Sequence, residues 1–138
     1  MTSKDVMAPA HPVRTRMDIT LDQYVIGLSI VMMLFGLRQW AIILGLLGDP
    51  AGAFQDLPAL VAIVIAHMAI VDLVASVGLW MRAAWGKVVW VYAAVFEIVI
   101  HTIFITTFGP ALAIVAFHVV ALAVFIVLTI LARRSHPR

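Results

Sequence analysis

Four long apolar segments fill residues 22 to 132, and each carries an ionisable residue well inside it: Arg38, then His67 and Asp72, then Glu97 and His101, then His118. Apolar runs of about 18 or more residues read as membrane spans, because a helix of that length covers a bilayer core of roughly 30 Å. With no water there to satisfy backbone groups, only a helix or a closed barrel can cross. The expected fold is therefore all-α: an integral membrane, antiparallel four-helix transmembrane bundle. Its spans should lie at about 22–47, 58–81, 87–108 and 110–132. They form one domain over residues 20–132, between a flexible tail (1–19) and a short basic tail (133–138).

Charge position is more informative than net charge. The chain holds nine Lys and Arg residues. Lys4, Arg14 and Arg16 precede the first span, Arg82 and Lys87 sit between the second and third, and Arg133, Arg134 and Arg138 follow the fourth. The remaining basic residue is Arg38, and the two other loops contain none. That asymmetry is what the positive-inside rule expects of cytoplasmic segments. It places both termini in the cytoplasm and makes the lipid bilayer, not nucleic acid, the partner of the basic stripe. The absence of cysteine excludes disulfides, thiolate catalysis and Cys-ligated metals. Ala51-Gly52-Ala53 has the form of a signal-peptidase site, but the apolar run before it is too long and contains Arg38, so no cleavage is expected.

Local signals set the expected ends. Thr20 to Gln23 has the form of a capping box, with Thr20 as N-cap. Gly48-Asp49-Pro50 should stop the first helix. Asp56 and Pro58 should start the second as N-cap and first helical residue. Arg82 to Gly86 should be the inner turn, and Gly109-Pro110 should break the third span from the fourth. Tyr24, Trp80, Trp85 and Trp90 are expected to anchor the inner membrane boundary.

The intramembrane polar cluster is the functional lead, because ionisable groups in lipid are expensive and usually face a bundle interior. Counting along each helix puts Arg38, His67, His101 and His118 in one layer of the outer half, with Glu97 one turn below His101. Asp72 is five residues from His67 and so points about 140° away from it. Arg, Asp or Glu at the centre of a span costs about 2.5–3.5 kcal/mol each on insertion scales. Arg38 pairing with Glu97 or Asp72 would offset most of that. The structural readings are an ion pair at Arg38, a Glu97–His101 hydrogen bond, a packed His118 and an Asp72–Ser76 pair. His67, His101 and His118 are also the candidate ligands for a metal, a haem or a proton relay. No H-E-x-x-H, paired E-x-x-H or haem-attachment motif accompanies them, so no resident cofactor is expected.

The run Gly78-Leu79-Trp80 through Trp85, Gly86, Val88 and Trp90, with Leu37 to Gly48, Phe108-Gly109 and His118, resembles a family of small four-span bacterial inner-membrane proteins of unknown function. That resemblance implies topology and a place in the inner membrane, and no activity. A non-enzymatic accessory or interaction subunit of a membrane complex is the expected role, with a membrane protein as partner. Homo-oligomerisation is compatible with so small a bundle. The alternatives are a small transporter or channel component using Arg38, Asp72 and Glu97, or a haem- or metal-binding redox protein using the three histidines.

Overall fold

A computed structural model describes residues 14–48 and 53–135. Lys4, His11, Asp49, Pro50, Ala51, Gly52, His136 and Arg138, with the rest of both tails, lie outside the described residues. Four long helices account for most of the described chain: α1 (Arg16–Ile43), α2 (Ala59–Trp80), α3 (Ala84–Thr102) and, after a four-residue α4 (Ile105–Phe108), α5 (Leu112–Arg134). A single 3-10 turn, Phe54–Asp56, precedes α2. All four long helices have the length and apolarity to cross a membrane. The protein is a multi-pass membrane protein with an all-α, four-helix architecture. Its helices pack in a ring, α1 on α2, α2 on α3, α3 on α5, and α5 back on α1.

The helix ends depart from the sequence reading in ways that move the polar groups. α1 starts earlier, because Thr15 and not Thr20 is the N-cap. Thr15 accepts from the Asp18 backbone while the Asp18 carboxylate accepts from the Thr15 backbone, a complete capping box. Thr20 lies inside the helix and donates to the Arg16 carbonyl. α1 also stops earlier, at Ile43. Gly45 takes a φ of 71°, and the amides of Gly45 and Leu46 return to the carbonyls of Ile42 and Ala41, a Schellman ending. Asp56 belongs to the 3-10 turn, and Pro58 is the N-cap position of α2 without a side-chain cap. The inner turn is only Met81 to Ala83, so Trp85 and Gly86 are already helical.

That short turn works because α2 and α3 touch backbone to backbone. A Cβ on Gly78 would lie 2.4 Å from the Gly86 Cα, and one on Gly86 would lie 2.2 Å from the Gly78 carbonyl carbon. Only glycine at both positions permits this approach. Trp85 covers the contact from outside. Trp80 and Trp85 are exposed beside the α2–α3 turn, but Trp90 is fully buried with its ring edge-to-face on Phe125. Trp90 is a core residue, not a boundary anchor. Around it, Val25, Leu28, Met32, Met68, Ala75, Leu79, Ala93 and Ala121 form the apolar core.

The end of the bundle that holds the start of α1, the α2–α3 turn and the end of α5, expected from its basic residues to be the inner one, is tied by polar contacts. Asp22 pairs with Arg14 and stands 3.8 Å from Arg82 in the α2–α3 turn. Thr15 and Ser135 share a 3.0 Å hydroxyl contact that joins the start of α1 to the end of α5. Tyr24 donates 2.7 Å to the Ala121 carbonyl, linking the same two helices one level deeper.

Candidate functional site

At the opposite, outer end the helices separate around a cavity of about 460 Å³. Arg38 and Gln39 of α1 line one side, and Glu97 and His101 of α3 another. α2 supplies an apolar wall of Val61, Val64, Ile65 and Met68, and Thr107, Phe108 and Pro110 close it from the α4 side. The early end of α1 matters here. Arg38 is five residues from Ile43, about 7.5 Å below the helix end, within reach of the headgroup layer by snorkelling. Its side chain is exposed. α3 likewise ends at Thr102, which leaves His101 at the rim and Glu97 about 7.5 Å below the helix end.

His101 Nδ1 is 3.2 Å from the Gly109 carbonyl. A carbonyl oxygen only accepts, so this nitrogen carries the proton and the other is an acceptor in the neutral ring. The bond fastens α3 to the connection leading into α5, in place of the expected Glu97–His101 bond. Glu97 turns instead toward α5. It is buried, and its Oε2 lies 3.3 Å from His118 Nδ1. His118 is fully buried between Phe35 and Phe117, and its Nδ1 donates 3.0 Å to the Ile114 carbonyl of its own helix, which leaves Glu97 Oε2 beside it without a hydrogen-bond partner among the described residues. By the same reasoning its Nε2 is an acceptor, and it has no partner among the protein groups.

Asp72 lies deepest, 13 residues from the outer end of α2, and is fully buried. Neither carboxylate oxygen has a hydrogen-bond partner, so the expected Asp72–Ser76 pair is not formed. Trp90 Nε1 is a further buried donor without a partner. An orphaned buried polar group costs about 1–3 kcal/mol, so this set is retained at the expense of stability.

Two expectations about which groups meet are corrected. Arg38 forms no direct ion pair with Glu97 or Asp72. Arg38 and Glu97 line the same cavity, and the partner in contact with Glu97 is His118. His67 does not join the other imidazoles. Asp72 takes the inward face of α2, and the 140° offset therefore turns His67 to the α2–α3 seam, where Nε2 meets Tyr92 Oη at 2.9 Å and the ring packs on Phe96. Among the described residues no three His, Cys, Asp or Glu side chains gather as a metal-binding group. His101 lines the cavity and His118 does not, so these two do not face each other across it as axial haem ligands must.

The cluster thus divides into an open part (Arg38, His101, Glu97), a closed part (His118, Asp72) and an unconnected His67. Glu97 joins the first two. Trp90, Tyr92 and the Gly109 carbonyl were missed by sequence reasoning. Trp90 carries a signal in retrospect, since it stands seven residues before Glu97 and so on the same face.

The pattern of a family described as a family of unknown function (DUF6163) matches residues 19–136. The chain belongs to that family. The match contains all six residues of the polar cluster and both glycines of the α2–α3 contact. No curated protein and no solved structure matches the chain. What a DUF6163 protein does must therefore be argued from the site.

Proposed function

We propose that this DUF6163 chain is a small proton-linked transport component of a bacterial inner membrane, with both termini cytoplasmic. The single observation behind the reading is Glu97, which lies on the wall of an outer cavity while its Oε2 is in contact with the buried His118. A carboxyl group on the wall of such a cavity is equipped to take up and release protons there. The Nδ1 proton of His118 is held by Ile114, so the imidazole borders Glu97 without receiving a proton at that nitrogen. Asp72 extends the buried acidic set toward the centre of the bundle. The orientation rests on the eight basic residues that flank the inner ends, Lys4, Arg14, Arg16, Arg82, Lys87, Arg133, Arg134 and Arg138, against none in the outer loops. The test is proton uptake into liposomes holding the purified protein and a pH-sensitive dye. Wild type is expected to respond to an outside acid pulse, and Glu97→Gln, which keeps the shape and loses the exchangeable carboxyl proton, to lose most of the response. An unchanged response in that variant ends the reading.

A second reading, an accessory subunit within a larger membrane complex, has its own support in α5. Only 11% of its span is buried, against 28% to 33% in the other three. A groove between α1 and α5, lined by Gly27, Val31, Ala113, Ala116 and Val120, is almost wholly apolar and open. Small residues of this kind let another span approach closely. Purification in mild detergent should then retain one stoichiometric membrane partner, whereas repeated recovery of the chain alone removes this second reading.

A further inference from the structure

The outer cavity holds two opposite charges that do not neutralise each other by contact. Arg38 stands on α1 and Glu97 on α3, both lining the same space, with no ion pair between them. Arg38 is always charged and offers five donors, none of them engaged by a side chain. The α3 side offers acceptors: the Glu97 carboxylate and, one turn nearer the rim, the imidazole nitrogen that His101 does not commit to Gly109. Donors face acceptors across a space with apolar walls from Ile65 and Met68. A volume of 460 Å³ falls within the range of small-ligand sites, roughly 300–1,000 Å³.

We propose that this cavity binds a small zwitterion, with an anionic group on Arg38 and a primary ammonium on Glu97 and His101. The proposal rests on the reading of the cavity as the working site and adds the class of ligand. A net anion would meet Arg38 but be repelled by Glu97, and a net cation would meet the reverse. A molecule carrying both charges a few bonds apart satisfies the two sides at once. The acceptors on α3 require N–H donors, so a primary ammonium fits and a trimethylammonium, which has none, does not. Two sources share this chemistry: a free solute of the amino-acid or glycerophosphorylethanolamine kind, and the headgroup of phosphatidylethanolamine.

The experiment uses the full chain in nanodiscs of phosphatidylglycerol and phosphatidylcholine, titrated calorimetrically with glycerophosphorylethanolamine, inorganic phosphate and ethanolamine. Glycerophosphorylethanolamine, a diester with one charge of each sign, should bind at least about tenfold more tightly than phosphate or ethanolamine, and Arg38→Gln and Glu97→Gln should each weaken it about tenfold or more, the loss of one charge-assisted contact. Thr107→Trp, at the exposed rim, should block binding without touching the core, which covers the case in which a charge variant fails to fold. A parallel preparation in phosphatidylethanolamine separates the sources. Retention of that lipid over phosphatidylglycerol in native mass spectrometry assigns the headgroup, and binding of the soluble probe alone assigns a free solute. Phosphate or ethanolamine binding as tightly as the zwitterion overturns the proposal, and so does the absence of binding by both zwitterions. If liposomes still take up protons in that last case, the ligand class fails and the proton-linked reading stands. Binding without proton uptake has the opposite meaning.

Discussion

Asp72 and Trp90 show what this core retains against its own stability. Each is fully buried with polar atoms that no protein group satisfies. Asp72→Asn keeps the volume and the unmet hydrogen-bonding demand and should change stability by less than about 1 kcal/mol, whereas Asp72→Leu, of the same branching, removes the unpartnered polar atoms, and a gain of about 1–3 kcal/mol is expected in SDS-induced unfolding. Trp90→Phe keeps a ring against Phe125 and deletes the unpartnered N–H, so it should be near neutral, whereas Trp90→Ala should cost about 3–5 kcal/mol. A loss of stability in Asp72→Leu would mean that the carboxyl group is held by a partner, against the geometry described above. At this scale the sequence singled out the polar residues within the spans and misjudged where two of them point. The angular offset between His67 and Asp72 followed from helix geometry, but nothing in the pattern said which of the two faced inward. In a soluble helix the polar face marks the outside. In α2 the outward residues Ile63, Ile70, Val74 and Val77 are as apolar as the inward Ile65, Met68 and Leu79, so that contrast is missing.

The elements themselves were legible because length and apolarity decide them, and their ends were not. Thr15–Asp18 and Thr20–Gln23 both have the form of a capping box, and both Gly45 and Gly48 suit a helix stop. Tertiary context selected the first of the two boxes, through Asp22 meeting Arg82 and Ser135 meeting Thr15, and the Gly45 stop was fixed locally by its positive φ and the return of its amide to Ile42. The distinctive glycines of the α2–α3 turn were visible as a pattern, but their use as a contact between backbones was not, since it depends on two residues meeting in space. Gly86→Ala should therefore be severely disruptive, by about 3 kcal/mol or more in the same unfolding assay, because the clash is with backbone that cannot rotate away. Gly27→Ala is the control. Its added methyl meets nothing within 4 Å, and helix propensity alone predicts a gain of up to about 1 kcal/mol. Equal effects at the two positions would show that the close α2–α3 contact is not what glycine serves.

At the scale of the whole molecule, the bundle is fastened at its inner end and spread at its outer one. The Thr15–Ser135 and Tyr24–Ala121 contacts close the ring below, while the cavity parts the same helices above. The early stop of α1 has a further effect there. Leu44, Leu46 and Leu47 are left exposed just past the helix end. These side chains prefer to lie in the acyl region, which draws the outer surface of the protein down until they are covered. Bilayer thickness thereby becomes a variable that acts on Arg38. A thin membrane leaves its guanidinium in water, and a thick one draws it among the lipid carbonyls, where mismatch is relieved by tilt at a fraction of a kcal/mol per ångström.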